Sequence, residues 1–367
     1  MILIIEELLL DWANIFKLKE IVFRVKRVAY TLLVSLTCLL MARAQVVRGL
    51  NVVGPFDEKL NMVSIQAIRN MDAQWVTFLP EVILNRSSLK FEERKPGDQW
   101  THSEIGYRNF IAQCKEANLK VILKPHLNLS DVFSEHDRIA VSSTWRGDIM
   151  PVQSDDWSEI ESVYQDFILG WAEIAAIEEV DAFFIGTELR SFVNHRPQFW
   201  DELIVKVRSI YSGPISYSAN WDNYKNIPFW QDLDFIGVNG YFPVSKDAIP
   251  NVSRTKTKWK KIKKELKKIY KTTNKHILIT EFGYRNISYA GLKPWLHVSQ
   301  TQSVIRSDIS QYNLLQAFFE SIWNEDYIIG GLLWNWPQKV DHNDNTDFSI
   351  QNKSAERLVK EWFSTNL

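Results

Sequence analysis

Ala182-Phe183-Phe184-Ile185-Gly186-Thr187-Glu188 is the stretch on which the reading of this chain turns. Its first five residues are apolar or glycine, with no alternation of wet and dry side chains. A short, near-continuous apolar run of this kind suits a strand buried on both faces, as in a parallel sheet. Helical patterns flank it over 156–178 and 198–211, and the run ends in a polar cluster, Thr187-Glu188-Leu189-Arg190.

The same unit recurs outward in both directions. Runs of strand character fall at Val46–Val53, Trp75–Leu79, Lys120–Lys124, Ile215–Ser218, Phe235–Val238, Ile277–Thr280 and Ile329–Trp334. Helical periodicity occupies 60–71, 104–117, 256–271, 306–324 and 354–364, and only the connection around Ile227–Asp232 looks abbreviated. Eight strands alternating with helices predict an α/β fold, a (β/α)8 TIM barrel; an open doubly wound sheet is the alternative. With 367 residues and no low-complexity linker or repeat, the chain reads as one domain, 45–367, behind an N-terminal segment, 1–44.

That N-terminal segment has the marks of an export signal. Phe23-Arg24-Val25-Lys26-Arg27 is a basic stretch, Val28 to Leu40 is apolar, and Ala42-Arg43-Ala44 supplies small-x-small cleavage chemistry. The apolar run is short for a bilayer span. Residues 1–21 lengthen the basic region beyond the usual range, which a start codon assigned too far upstream, or an inserted anchor, would explain. The expectation is an exported protein beginning near Gln45, with no stable membrane insertion once the leader is removed.

Composition excludes several function classes. A formal net charge of −1 gives no reason to invoke nucleic acid or an anionic membrane surface. Two cysteines, Cys38 in the leader and Cys114 in an apolar-periodic helix, rule out a thiolate metal site and leave the mature domain without a disulfide. The seven histidines show no His-x-His or His-Glu-x-x-His spacing, so no metal and no cofactor is expected. Asp341, Asn343, Asn345 and Asp347 have the look of a calcium loop, but Thr346 and Asn352 stand where glycine and the terminal glutamate belong, so a polar rim loop is the better reading. Lys256–Lys271 is strongly basic, with Trp259, Ile262, Leu266 and Ile269 on one helical face, and reads as a solvated outer helix of the barrel, a nucleic-acid or heparin patch being the alternative.

In a barrel of this kind the C-terminal ends of the strands face the active site. Those ends carry Lys124-Pro125-His126, Thr187-Glu188, Asn220-Trp221-Asp222, Asn239-Gly240-Tyr241, Thr280-Glu281 and Trp334-Asn335-Trp336. Glu188 and Glu281, on the fourth and seventh strands, lie across the mouth from one another. Cleavage of a glycosidic bond needs one protonated carboxyl for the leaving oxygen and one ionised carboxylate facing the anomeric carbon. One glutamate at a strand end is as easily an ion-pair partner; two, with Asn, Tyr and Trp at neighbouring ends, point to that chemistry. An inward Lys124 requires a carboxylate partner. Arg190 is as well suited to bracing a loop as to touching a ligand, and only one of Trp334 and Trp336 faces the mouth, because they alternate.

The strings Trp145-Arg146-Gly147-Asp148-Ile149, Gly186-Thr187-Glu188-Leu189-Arg190-Ser191, Asn220-Trp221-Asp222, Gly237-Val238-Asn239-Gly240-Tyr241-Phe242-Pro243 and Thr280-Glu281-Phe282-Gly283-Tyr284-Arg285, taken in order, resemble glycoside hydrolase family 113 over essentially all of 46–366. The resemblance implies a retaining (β/α)8 barrel acting on β-1,4-mannan or manno-oligosaccharides, with Glu188 as acid/base and Glu281 as nucleophile. It implies a polysaccharide or oligosaccharide substrate bound by His126, Asn220, Asn239, Tyr241 and Trp334. Many members of the wider clan carry Asn immediately before the acid/base, where this chain has Thr187, so the contact to the sugar 2-hydroxyl is expected from elsewhere, from Asn220. The alternatives are a retaining β-glycosidase on another hexose or aminosugar polymer, and a non-catalytic carbohydrate-binding barrel of the cell envelope.

Overall fold

Eight parallel strands close into a barrel, so the open-sheet alternative falls. The computed structural model describes residues 46–54, 62–92, 103–140, 144–296, 304–338 and 346–365. The expected leader, and the stretch Asp341–Asn345 of the rim loop, lie outside the described residues. From Val47 onward the chain forms one compact unit.

The barrel strands are β1 (Val47–Val53), β2 (Trp75–Phe78), β4 (Lys120–Leu123), β6 (Ala182–Thr187), β7 (Ile215–Asn220), β8 (Ile236–Asn239), β9 (Ile277–Phe282) and β10 (Ile328–Pro337). The eight expected strands are all present, within a few residues at their ends. Every residue of β6, β8 and β9 is buried, as the unalternating apolar runs require. Val47, Ile122, Ala182, Phe184, Leu278 and Leu332 pack together in the core.

Around the barrel lie α1 (Met62–Asn70), α2 (Glu104–Glu116), α3 (Asp156–Ile177), α4 (Arg190–His195), α5 (Pro197–Ile210), α6 (Val252–Thr273), α7 (Asp308–Ile322) and α8 (Ser354–Ser364). The abbreviated fifth connection is made of two short 3-10 turns, Tyr224–Asn226 and Trp230–Asp232. In α6, Trp259, Leu266 and Ile269 are buried, the apolar face expected of an outer barrel helix. Cys114 is buried in α2, and burial pushes its thiol up to about 12, so it is inert packing material.

A second small sheet was not expected. β3 (Glu81–Leu84) and β5 (His126–Leu129) pair in parallel above the barrel. They prolong β2 and β4 in unchanged register, since Trp75 faces Lys120 and Glu81 faces His126. Pro80 and Pro125 fall opposite one another between the two pieces, where neither can donate a ladder hydrogen bond. The extension carries His126 out to the barrel mouth.

Irregularity in β1 sets the mouth on the other side. Register against β10 shifts between Leu50 and Val52. The buried side-chain amide of Asn51 fills the gap, donating at 3.2 Å towards the carbonyls of Thr280, Leu332 and Leu333. A buried amide so used ties β1, β9 and β10 together immediately below Trp334.

Candidate active site

The C-terminal ends of the strands surround a cavity of about 460 Å³. Glu188, Glu281, His126, Asn220, Tyr241 and Trp334 all line it, and Asn239 sits directly behind them, fully buried. All seven site residues expected from the sequence therefore converge on one place.

Glu188 follows β6 at a sharp reversal of the chain. Its φ is +56°, a left-handed conformation costing a non-glycine residue on the order of 1–2 kcal/mol. The turn is held by its neighbours: Glu188 N donates to the Ser218 carbonyl at 2.8 Å, and Leu189 N donates to the Tyr217 hydroxyl at 2.7 Å. Beyond it the chain enters α4. One carboxylate oxygen accepts from Asn239 Nδ2 at 2.9 Å, the other from the Trp145 indole at 3.3 Å. Burial, then the charge of Glu281, push its carboxyl above the usual range; Arg146 and the two donors oppose them without reversing the shift.

Glu281 is more deeply set, 5% exposed, near the end of β9. Lys124 Nζ lies 2.6 Å from Oε1, and the Tyr241 hydroxyl donates to Oε2 at 2.8 Å. The carboxylate partner that an inward Lys124 needs is thus Glu281 itself. Lys124 is wholly buried, and desolvation draws its ammonium below the ordinary value against the attraction of Glu281. Burial and the adjacent carboxylate hold the Tyr241 phenol well above its usual range, so it remains a donor.

Asn239 joins the two sides. While its amide donates to Glu188, its carbonyl oxygen accepts from Ser218 Oγ and Thr280 Oγ1, both at 2.8 Å. Those hydroxyls fix which end of the amide faces Glu188, and Thr280 is next in sequence to Glu281.

Two glycines shape the walls. A Cβ on Gly283 would lie 2.0 Å from the Trp334 carbonyl oxygen, so only glycine lets β9 pass Trp334 this closely. A Cβ on Gly147 would lie 2.2 Å from the Trp145 ring, which folds back over it and carries the indole to Glu188. Of the alternating pair, Trp334 faces the cavity and Trp336 is buried, 3% exposed. Trp334 stacks with His126, centroids 6.4 Å apart and planes at 14°. Burial keeps His126 neutral far into the acid range, and neither ring nitrogen has a hydrogen-bond partner among the described residues.

Arg190 is a brace. It binds Asp148 at 2.7 Å and Asp222 at 3.3 Å, and its guanidinium lies 4.9 Å from the Trp145 ring centroid. Asn220 donates to the same Asp222 at 3.1 Å. Site residues not singled out individually from the sequence are Trp145, Arg146, Trp221, Trp295 and Phe348, which also line the cavity. The first three belong to motifs already quoted; Trp295 and Phe348 lie in loops with no local signal. Trp221 and Trp295 stack at 5.2 Å. Leu296, beside them, also borders a second cavity of about 180 Å³. Among the described residues no cluster of His, Cys, Asp or Glu is arranged to hold a metal ion.

The fold and sequence are shared with known proteins. A solved GH113 β-mannanase from Alicyclobacillus acidocaldarius superposes with a TM-score of 0.73 at 22% identity, over 88% of this chain and 98% of that one. A second solved GH113 β-1,4-mannanase gives 0.72 at 21%, over 88% and 99%. A Ruminococcus gnavus β-glucuronidase gives 0.58 at 13%, over 87% of this chain and half of that one. No curated protein sequence matches the chain. The sequence model of Glycoside Hydrolase Family 113 matches residues 50–353. The chain therefore belongs to glycoside hydrolase family 113.

Proposed function

We propose that this glycoside hydrolase is a retaining β-mannanase that cleaves β-1,4-mannosidic bonds by double displacement, with Glu188 as acid/base and Glu281 as nucleophile. The observation that carries the assignment is the unequal treatment of two carboxyl groups in one cavity. Glu188 meets only neutral donors at hydrogen-bond distance and has its proton affinity raised, which suits an acid. Glu281 is held on both oxygens, by an ammonium and a phenol, and so stays fixed and charge-compensated for in-line attack.

Glu188 gives its proton to the leaving oxygen as Glu281 Oε2 or Oε1 bonds to the anomeric carbon and the glycosidic bond breaks. Now a carboxylate, Glu188 takes a proton from water, which attacks the glycosyl ester and frees Glu281. The Tyr241 hydroxyl and Lys124 ammonium accept the returning charge. Trp334 offers a flat face to a sugar ring, and His126 and Asn220 offer polar contacts to its hydroxyls. The stacked Trp221 and Trp295 add a second aromatic surface in the same cavity, which suits a chain rather than a single sugar. Mannan as substrate is supported by the family and by the activity named for its solved members, and export by the basic, apolar and small-x-small segments of 1–44.

The test has two arms. Purified protein offered β-1,4-mannan, cellulose, xylan and chitin should release oligosaccharides from mannan first; preference for another polymer sinks the substrate assignment. Glu188→Ala should keep turnover of an aryl mannoside with a good leaving group and gain rate with azide, whereas Glu281→Ala should lose every substrate. Exchange of these behaviours reverses the two roles.

A further inference from the structure

The net charge of −1 conceals a strong asymmetry. Helix α6, Val252–Thr273, carries ten basic side chains and one acidic one, Glu265. That is a local +9, leaving −10 for the rest of the chain. Eight of the ten are exposed.

Acidic neighbours neutralise only the flanks of the helix. Lys256 binds Glu320 at 2.6 Å, Lys263 binds Glu325 at 2.8 Å, and Glu265 is engaged by Lys225 at 2.8 Å. Lys260, Lys264, Lys268 and Lys271 make no ion pair among the described residues. At 3.6 residues per turn these four fall within a stripe about 80° wide and about 16 Å long. Their i,i+4 and i,i+3 spacings set like charges against each other, which weakens a helix. A solvated helix kept only for solubility mixes the two signs; this face carries one.

We propose that α6 is a docking face for an anionic lipid surface, held by its lysine stripe and not by insertion. Three features select a lipid plane from among polyanions. The outward face is nearly all lysine, a point charge that follows dense phosphate without the paired geometry by which arginine reads single groups. The opposite face is fastened to the barrel through Trp259 and Leu266, so the helix cannot enter a nucleic-acid groove and offers only a flat outer strip. No aromatic or large aliphatic side chain on the stripe offers stacking or burial in a membrane. The helix runs beside the barrel between β8 and β9, so a surface laid against it leaves the cavity at the strand ends open to substrate.

Vesicle sedimentation of the full chain tests this. Wild type should pellet with phosphatidylcholine vesicles containing one third phosphatidylglycerol, much less with phosphatidylcholine alone, and lose the difference as salt rises well past physiological strength. The variant K260Q/K264Q/K268Q/K271Q should bind the anionic vesicles about a thousand-fold less tightly, while turning over soluble substrate as wild type does. The corresponding four-fold Lys→Arg variant should bind as wild type. The N-terminal segment, basic as well as apolar, is common to wild type and variants, so the difference between wild type and the Lys→Gln variant on anionic vesicles reads the helix. Equal binding of wild type to neutral and anionic vesicles overturns the proposal without reference to any variant. So does retention by duplex DNA at salt that releases the vesicles, which would mark a nucleic-acid face instead.

Discussion

Lys124 and Glu281 form a buried ion pair, Nζ to Oε1 at 2.6 Å, on the floor of the cavity. Lys124 is wholly buried and Glu281 nearly so. Lys124→Met should therefore strand a buried carboxylate, costing about 3–5 kcal/mol of stability as well as most of the activity. Adding Glu281→Gln should restore much of the stability and none of the activity. Chemical denaturation of the two variants measures this; equal instability of single and double variants would falsify the pairing.

The fold was legible in the sequence because its strands are buried on both faces. Runs such as 182–186 and 277–280 leave no polar alternation to misread. What escaped depends on packing between distant segments. The β3–β5 pair forms because Pro80 and Pro125 meet in register, although each looks like a strand end when read alone. Helix α4 is six residues long and starts just beyond the reversal at Glu188, too short for periodicity to declare it. In the site, strand ends announced Glu188, Glu281, Tyr241 and Trp334. Trp145 could not be placed, since its contact with Glu188 spans 43 positions through a loop folded over Gly147.

Trp145 supplies a pH test of the acid. Its indole donates to the ionised form of Glu188, so Trp145→Phe removes a stabiliser of the anion and moves this carboxyl further upward. If protonated Glu188 is needed for the first step, the alkaline limb of kcat/KM should shift to higher pH in the variant. A shift to lower pH would show that another group sets that limb.

The same group makes a stability prediction. A carboxyl whose folded value is raised binds its proton more tightly in the folded state than in the unfolded one. Its contribution is fully present below the unfolded value, near 4.5, and is lost as pH rises through the folded one. Glu188→Gln lacks this loss. The variant should gain stability relative to wild type as pH rises from about 4.5 through the folded value, and thermal melts of the two that run parallel would refute the raised value.

Trp334 and Trp336 should fail in different ways. Trp334 faces the cavity, so Trp334→Ala should weaken substrate binding and turnover with a nearly unchanged melting temperature. Trp336 is core, and Trp336→Ala should cost about 3–5 kcal/mol of stability. Kinetics and melting of the two variants side by side decide the matter; destabilisation by the first and not the second would reverse the assignment.

The stereochemical course joins fold to mechanism. Glu188 and Glu281 stand at the ends of β6 and β9, the fourth and seventh strands of the barrel, and both line one cavity. They are near enough that the charge of Glu281 is felt at Glu188. The proposed double displacement requires carboxyls about 5–5.5 Å apart, which leaves no room for water between carboxylate and anomeric carbon, so that the sugar is first bonded to the protein and then released. Each displacement inverts the carbon, and two restore it. Proton NMR in the first minutes of hydrolysis, before mutarotation, should therefore show the β-anomer appearing first. An α-anomer would mean one displacement by a water seated between carboxyls roughly 6.5–9.5 Å apart, and Glu281 would then be a base rather than a nucleophile.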